Sequence, residues 1–395
     1  MSSSTPTEAR APIPANELER VCDPNSRAAR TMPSSAYISS EVFAWEHEHL
    51  FDRAWVCVGR RQLVDAPGDQ HAIAVGTRAV LLTRDSDGVL HAFMNSCRHR
   101  GHEILAVGES ANGKFVRCPY HSWVYCLDGA LRAAPRFQKD PGFDADSWPL
   151  LPVRAIEWLG WIFVAFSAET IEFPDWVTDL AKLLGPWKPE TMVVGAARSY
   201  QLATNWKTVV ENYAECYHCS TIHPELCRVS PPDDGAVYEH SGRWNGARMG
   251  LREHAETMSL DGRSGARMLD TLTLVESRHI HYFYVAPNLL IALHPDYILT
   301  HRLSPQGPGV TVVDCQWLFP PDVVSSPEFD PSYAVDFWDV TNRQDFAACE
   351  SVYRSISGGG YRPGVFAEQE QGVRNFQVQV AQAYEAGAWV QAPSN

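Results

Sequence analysis

The stretch that decides the architecture reads Cys97-Arg98-His99-Arg100-Gly101 and then Cys118-Pro119-Tyr120-His121, with 18 residues between His99 and Cys118. Each half supplies one cysteine and one histidine within turn-rich sequence. Two thiolates and two imidazoles are enough to bind zinc, which is the simplest alternative. Structural zinc sites, however, usually take both cysteines from one segment and both histidines from another. The mixed halves therefore argue against zinc.

A two-iron, two-sulfur cluster of the Rieske type explains the mixed halves, because two cysteines hold one of its irons and two histidines hold the other. Cys97 and Cys118 would then bind the first iron, and His99 and His121 the second. The motif resembles that of ring-hydroxylating and related Rieske oxygenases. Two departures from this family are the slightly longer gap between the halves and Ser122, which stands where a glycine usually follows the second histidine.

The sequence around this motif predicts a small β domain. From Trp55 to about Phe166, short apolar runs such as 72–75 and 79–83 alternate with glycines. This pattern favours antiparallel strands joined by tight turns. The resemblance implies that residues 55–166 form the Rieske [2Fe-2S] domain.

The segments before residue 55 are assigned from composition and capping. Residues 1–36 begin with a Ser-, Pro- and Thr-rich stretch and are predicted to be a flexible lead-in. Ser39 then opens a short helical pattern as its N-cap. We expect 37–54 to be a helix that packs on the catalytic domain.

The remainder, 167–395, is predicted to be the catalytic domain that holds a mononuclear iron. Its sequence alternates helical patterns with strand-like runs, which indicates an α+β fold on an antiparallel sheet. The resemblance implies a helix-grip, or START-like, arrangement. The helical patterns cover 174–185, 204–219 and 333–357, and the strand-like runs cover 193–203, 278–293, 298–304 and 310–319.

A second set of metal-binding residue types lies in Glu215-Cys216-Tyr217-His218-Cys219-Ser220-Thr221-Ile222-His223-Pro224. On an unbroken helix His223 would point about 140° away from His218, so both could not bind one metal. Pro224 disfavours the helical conformation at His223 and tends to place that residue beyond the helix end. Two histidines and one carboxylate on one face of an iron form the facial triad of non-haem iron oxygenases.

The third ligand is predicted to come from the helical pattern 333–357, which offers Asp336, Asp339 and Asp345. Asp345 lies on the apolar stripe of that helix, whereas the other two lie off it. A carboxylate on a buried face is costly unless it is paired or metal-bound. Asp345 is therefore the candidate iron ligand, and a buried hydrogen-bond network is the alternative. Residues 342–350 also resemble the segment that donates the aspartate in this family.

The resemblance assigns Glu215 a separate role. In this family an acidic residue three positions before the first histidine connects the mononuclear iron to a Rieske histidine of the neighbouring subunit, which implies a homotrimer. Glu215 occupies that position, where most relatives have aspartate. Glutamate there resembles the branch of choline, glycine betaine and carnitine monooxygenases, as do the runs 211–224 and 294–297.

Composition restricts the possible partners and location. The formal net charge of −14 argues against nucleic acid or an anionic membrane as the main partner. Neither a signal peptide nor an apolar run of about 20 residues is visible. A cytoplasmic location is therefore predicted, with the 10 cysteines as reduced thiols or metal ligands.

The combined features imply the oxygenase component of a multicomponent monooxygenase. Electrons from NAD(P)H would reach the cluster and then the Fe(II) that activates O₂. The chain has no flavin or nicotinamide signature, so a separate ferredoxin, flavin reductase or both must supply them. Basic residues of the β domain are candidates for a docking face, although scattered solvated arginines are an equal alternative; they are Arg60, Arg61, Arg98, Arg100, Lys114, Arg117, Arg132 and Arg136.

The family likeness favours C–H hydroxylation or oxidative N-demethylation of a small quaternary or methylated amine, such as a betaine. Aromatic side chains could form a cage for such a cation, although most are expected to be core. The candidates are Tyr282, Phe283, Tyr284, Tyr297, Trp317 and Trp338. The alternatives are an aromatic-ring hydroxylating dioxygenase, an O-demethylase of an aromatic acid, and a non-catalytic zinc-binding scaffold.

Overall fold

The structure, a computed structural model, describes residues 10–137, 140–239 and 242–390. Internal contacts divide the chain into two units. The smaller is Trp55–Thr170, and the larger combines the segment that ends at Ala54 with the residues from Ile171 onward. Within the described ranges, none of the helices is both long and apolar enough to cross a membrane.

The smaller unit is built of antiparallel strands, as its sequence predicts. Seven strands form one sheet in the order β1-β10-β9-β4-β3-β2-β5, and β6, β7 and β8 form a three-stranded sheet. The bounds are β1 Val56–Arg60, β2 Asp69–Val75, β3 Arg78–Arg84, β4 Leu90–Met94, β5 Ser110–Asn112, β6 Val116–Arg117, β7 Val124–Tyr125, β8 Leu131–Ala133, β9 Pro152–Trp158 and β10 Trp161–Ala165.

One hydrophobic core positions the two Cys-His loops. Leu81 and Phe93 of the larger sheet pack with Trp123 and the small sheet, and both motif cysteines belong to this cluster. The first loop follows β4, and the second joins β6 to β7. The ligand loops therefore lie directly on a packed core, which restrains their backbone.

The N-terminal segment departs from the predicted flexible lead-in. Helix α1 spans Ala15–Val21, and Leu18, Val21 and Met32 are fully buried in the larger unit. The prediction is therefore wrong for residues 10–36, while residues 1–9 lie outside the described part of the chain. The few apolar residues of this segment are enough to anchor it, although the local sequence is rich in turn formers.

The next segment is helical, with Ser39 as its cap, as predicted. Helices α2 Ser35–Ile38 and α3 Ser40–Glu46 lead into a π-helical turn, His47–Phe51, and the Ser39 hydroxyl accepts a hydrogen bond from Val42 N at 3.3 Å. Glu46 at the end of α3 forms a buried ion pair with Lys207 Nζ at 2.6 Å and accepts a hydrogen bond from Trp206 Nε1. This contact holds the segment within the larger unit.

A seven-stranded antiparallel sheet forms the centre of the larger unit, in the order β11-β17-β16-β15-β14-β13-β12. The predicted runs are confirmed as strands, except that 278–293 is a hairpin of two strands, while Gly235–Val237 and Trp244–Gly250 were not predicted. The bounds are β11 Val193–Leu202, β12 Gly235–Val237, β13 Trp244–Gly250, β14 His279–Val285, β15 Leu289–Leu293, β16 Ile298–Gly307 and β17 Val310–Phe319.

Helices cover one face of this sheet. The contacts that show it are Tyr284 against Phe376, with ring centroids 5.3 Å apart, and His301 Nε2 against Asn342 Oδ1 at 3.1 Å. These contacts come from α10 Ser332–Ser357 and α11 Gln371–Ala386. The other helices that follow residue 170 are α4 Phe173–Val177, α5 Leu180–Leu184, α6 Trp206–Tyr213, α7 Cys219–Ile222, α8 Pro224–Val229 and α9 Pro321–Val324. Short 3₁₀ turns lie at Arg61–Val64, Ala145–Ser147, Gly185–Trp187, Pro189–Thr191, Glu276–Arg278 and Glu368–Glu370.

Together the two units confirm the predicted α+β class. The long helix expected over 333–357 is α10, which has 26 residues. Two helix predictions are partly wrong, because 174–185 contains two short helices and the helix expected over 204–219 ends at Tyr213. The second difference determines the geometry of the metal site described below.

Candidate metal centres

The two Cys-His loops share one backbone geometry. Cys97 N donates to His102 O, and Cys118 N donates to Trp123 O, both at 2.9 Å. Each loop is thus closed by a hydrogen bond from the amide of its own cysteine to the carbonyl five residues later. This repetition indicates that the two halves are matched parts of one site.

Both loops also require a left-handed residue four positions after the cysteine. Gly101 has φ +72° and Ser122 has φ +58°. Glycine adopts this conformation freely, whereas a residue with a side chain pays about 1–2 kcal/mol. The departure from the family glycine at Ser122 therefore carries a local backbone cost.

The side chains of the four predicted cluster ligands suit a [2Fe-2S] group. The sulfurs belong to buried residues, since Cys97 is 3% and Cys118 1% exposed. The rings of His99 and His121 are 4.6 Å apart, and His121 is exposed. His99 Nδ1 is buried and has no hydrogen-bond partner among the described residues, as expected for an atom available to a metal.

Two aromatic residues support this site and were not singled out from the sequence. Tyr125 OH lies 3.3 Å from Cys97 Sγ and accepts a hydrogen bond from Arg98 N at 3.1 Å. Trp123 stacks on His99, with ring centroids 5.0 Å apart. Tyr125 and Trp123 follow His121 by four and two residues, and this closeness to the motif is the sequence feature that could have indicated them. Hydrogen bonds to the sulfurs are one determinant of a cluster's reduction potential.

The second centre depends on a break in the helix predicted over 204–219. Helix α6 ends at Tyr213, and Glu215 then accepts hydrogen bonds from the backbone amides of Tyr217 and His218. His218 precedes the short helix α7, and His223 follows it. The two histidines are therefore not held on one rigid helix, and each can turn toward a common point.

The structure brings both histidines to Asp345. His223 Nε2 is 2.8 Å and His218 Nε2 is 3.2 Å from the same Asp345 Oδ1. Burial would raise the pKa of this carboxyl, but the hydrogen bonds from His218 and His223 hold it below its usual value. Two imidazole nitrogens and one carboxylate oxygen thus converge as a facial triad requires.

Each histidine is oriented through its other ring nitrogen. His218 Nδ1 bonds Glu215 Oε1 at 2.5 Å, and His223 Nδ1 bonds Gln344 Oε1 at 2.7 Å. Metal-binding histidines usually have such a partner, which fixes the ring and the tautomer. Burial would lower the pKa of His218, but its bonds to Asp345 and Glu215 outweigh it and raise the pKa to about 9. Gln344 was missed from the sequence, although it precedes Asp345 directly.

The other two aspartates of α10 take part in different contacts. Asp339 accepts a hydrogen bond from Tyr200 OH at 2.6 Å and pairs with Arg343. Asp336 is 57% exposed and lies 3.7 Å from an Arg198 nitrogen. Of the three candidates, Asp345 is the one that lies beside the histidines.

The prediction of reduced or metal-bound cysteines is wrong for one pair. Cys216 and Cys219 form a disulfide, with Cα atoms 4.9 Å apart. The other eight cysteines form no disulfide in the described part of the chain. The pair brackets His218, so that the second centre has a disulfide within its ligand loop.

A cavity of about 180 Å³ adjoins the histidines and Asp345. Of the six predicted cage aromatics, Tyr282 and Trp338 line it, and so does Tyr213, which was not predicted. The other four candidates are core residues: Phe283, Tyr284, Tyr297 and Trp317. The charged residues among the lining are Glu215, Asp233, Asp345, Glu368, Arg248 and the histidines.

A Rieske-type ligand set and a two-histidine, one-carboxylate centre in one chain define a two-centre iron oxygenase. The family comparisons agree with this class. Residues 54–152 match the Rieske [2Fe-2S] domain, and residues 189–386 match the ring hydroxylating alpha subunit (catalytic domain). The chain belongs to this family of Rieske non-haem iron oxygenases.

Individual relatives point to one branch. The chain is 29% identical over 376 residues to the glycine betaine monooxygenase oxygenase subunit of Chromohalobacter salexigens, covering 88% of this chain and 84% of the relative. It is 34% identical over 202 residues to the carnitine monooxygenase oxygenase subunit of Escherichia coli, covering 51% and 54%. The solved structure of a quaternary ammonium Rieske monooxygenase superimposes with a TM-score of 0.80 at 24% identity, covering 95% and 100%.

Proposed function

We propose that this chain is the oxygenase component of a monooxygenase that hydroxylates or oxidatively N-demethylates a small, betaine-like quaternary or methylated amine. The relatives with glycine betaine and carnitine in their names support this substrate class. When bound, the cluster supplies electrons and the mononuclear iron activates O₂ for attack on a C–H bond. The chain's own residues hold these groups and select the substrate.

The charge and shape of the cavity beside the triad carry this proposal. Tyr213, Tyr282 and Trp338 offer aromatic faces that attract a cation. The lining carboxylates add negative charge. Arg248, the one Lys or Arg among the described lining residues, pairs in register with His281 and thus lies on the sheet face opposite to Tyr282. A methylated ammonium is therefore expected to bind at the part of the cavity that lies beside His218, His223 and Asp345.

The alternatives fit this cavity less well. An aromatic acid has no cationic group for the aromatic faces and the lining carboxylates to attract, so it would gain less from binding here than a methylated ammonium would. A ring-hydroxylating dioxygenase would act on a neutral aromatic, which would leave the lining carboxylates without an opposing charge from the substrate. A zinc-binding scaffold does not explain why residues 54–152 and 189–386 match the two domains of a Rieske oxygenase alpha subunit.

A reconstituted turnover assay tests the proposal. The iron-loaded protein, a surrogate reductase, NADH and O₂ are mixed with glycine betaine, carnitine, choline or an aromatic acid, and formaldehyde, trimethylamine and hydroxylated products are measured. We expect product from at least one betaine and none from the aromatic acids, with the His218→Ala protein as the inactive control. Turnover of aromatic acids alone would contradict the substrate assignment.

We infer that Glu215 transmits electrons to the iron from the cluster of a neighbouring subunit in a homotrimer. Glu215 bonds His218, and both residues line a second cavity of about 400 Å³ as well as the substrate cavity. The carboxylate is therefore accessible from a side that the substrate does not occupy. Inter-subunit electron transfer is described for the superimposed quaternary ammonium Rieske monooxygenase, which supports the same arrangement.

The electron donor is proposed to be NAD(P)H, through a separate ferredoxin, flavin reductase or both, in the cytoplasm. A basic part of the smaller unit could bind an acidic carrier, since Arg100, Lys114, Arg117, Arg132 and Arg136 are exposed. Arg60 does not belong to this face, because it is 1% exposed and lies over Trp161. The prediction of Arg60 as a docking residue is therefore wrong.

A further inference from the structure

We propose that the Cys216–Cys219 disulfide controls which metal the mononuclear site binds. When the disulfide is closed, His218, His223 and Asp345 are the available ligands. When it is reduced, the thiolate of Cys219 becomes a fourth ligand and the site binds zinc. This inference rests on the proposed role of the two histidines as metal ligands.

The position of Cys219 supports this. Its Sγ lies 3.9 Å from His218 Nε2, and the ligand atoms of His218, Cys219 and His223 all lie within 4.8 Å of one another. Zn–S and Zn–N bonds of about 2.3 and 2.0–2.1 Å at tetrahedral angles place sulfur and nitrogen about 3.6 Å apart. Cys219 is 3% exposed, so its sulfur is already directed inward. A small movement of Cys219 toward the histidines would therefore complete a set of four zinc ligands.

The chemistry of the two ligand sets differs. Two histidines and a carboxylate leave positions open for O₂ and substrate, which an oxygenase needs. Two histidines, a carboxylate and a thiolate form a closed four-ligand set of the kind that zinc prefers. Thiolates favour zinc over iron, and zinc cannot activate O₂ by redox chemistry. A disulfide sulfur carries no such charge, so oxidation removes the fourth ligand.

A dithiol reductant of the thioredoxin class would reduce the Cys216–Cys219 disulfide. The S–S bond accepts two electrons and two protons and becomes two thiols, while the reductant becomes a disulfide. Zinc binding then displaces the Cys219 proton into solvent. The Cys-X-X-Cys spacing is that of exchangeable disulfides. A third thiol is close by, because Cys227 Sγ donates to Cys219 O at 3.4 Å.

Zinc affinity of the cluster-loaded protein, stripped of its mononuclear metal, tests the inference. The affinity is measured by competition with a chromogenic chelator before and after reduction with a phosphine, with the visible cluster spectrum as a control for integrity. We expect reduction to tighten zinc binding at least tenfold. X-ray absorption of the reduced zinc form should show one sulfur neighbour at about 2.3 Å.

Three cysteine variants test which thiol causes the change in zinc affinity. Cys216→Ser leaves the Cys219 thiol free and should bind zinc tightly without reductant, whereas Cys219→Ser should bind it weakly in both states. Cys227→Ser should behave as the parent protein. Equal zinc affinity of the parent in both redox states, or a zinc site with only nitrogen and oxygen neighbours, would overturn the inference. Either result leaves amine turnover by the iron form unaffected, so the proposed function is tested separately.

Discussion

All four candidate cluster ligands fall between residues 97 and 121, whereas Asp345 lies 122 residues after the histidine that it contacts. The first centre uses two loops of matched geometry, and its His99 Nδ1 has no partner in the described chain. The second uses ligands from separate elements that hydrogen-bond one another. The first centre therefore depends on local turns, and the second depends on the packing of α10 against the histidine loop.

The largest effect should come from removing a triad ligand. His218→Ala should lower product formation at least about a thousandfold, because the contribution of a catalytic metal amounts to several kcal/mol. The absorption spectrum of the Rieske cluster should not change, because its ligands come from other loops. Asp339→Asn is the matched control and should retain iron. A His218→Ala protein that still turns over would refute the triad.

A substitution of a candidate cluster ligand should affect only the Rieske cluster. Cys118→Ser removes a buried thiolate and should bleach the visible absorption of the cluster. Iron bound at His218, His223 and Asp345 should remain, as measured by the metal content of the purified variant. Loss of both irons together would show that the two centres are not independent.

A smaller effect is expected at the residue proposed to connect the centres. Glu215→Gln keeps an oxygen that can accept from His218 Nδ1 but removes the charge. We expect both metals to stay bound and single-turnover electron transfer to slow by about 10–100-fold, the range for residues that orient a metal ligand. An unchanged rate in a stopped-flow experiment would count against the bridging role.

The next prediction concerns the environment of the cluster sulfurs. Tyr125→Phe removes a hydroxyl 3.3 Å from Cys97 Sγ. A hydrogen bond of about 1.4 kcal/mol corresponds to about 60 mV for one electron, so the reduction potential should fall by about that amount. Spectroelectrochemical titration measures it. Tyr120→Phe, at an exposed position of the second Cys-His loop, should leave the potential unchanged.

The smallest effect should follow from restoring the glycine of the second loop. Ser122→Gly relieves a left-handed conformation and should stabilise the smaller unit by up to about 1 kcal/mol. Thermal unfolding followed at the cluster absorption measures the change. Ser122→Ala keeps a Cβ and should give no such gain. A destabilised Ser122→Gly protein would show that the serine hydroxyl contributes more than the strain costs.

The same comparison explains what the sequence could predict. The cluster motif lies on neighbouring turns, so spacing alone indicated its ligands. The helix break after Tyr213 was missed, because it depends on Glu215 accepting the amides of Tyr217 and His218 rather than on a helix breaker. Residues 10–36 were wrongly predicted to be flexible, since Leu18 and Met32 are buried by distant parts of the chain.

Helix α11 shows a signal that was present but not used. Val373, Phe376, Val380 and Tyr384 are buried at helical spacing within Gln371–Ala386. In contrast, the convergence of His218, His223 and Asp345 could be inferred only by combining a helical stripe with family resemblance. Long-range contacts of this kind are not encoded in local spacing.

The most direct test of the account is the metal and sulfide content of the anaerobically reconstituted protein, together with its reduced-state electron paramagnetic resonance spectrum. One cluster and one mononuclear site predict about three irons and two acid-labile sulfides per chain, with a Rieske-type signal. A colourless protein that contains zinc and no sulfide would contradict the assignment of both centres.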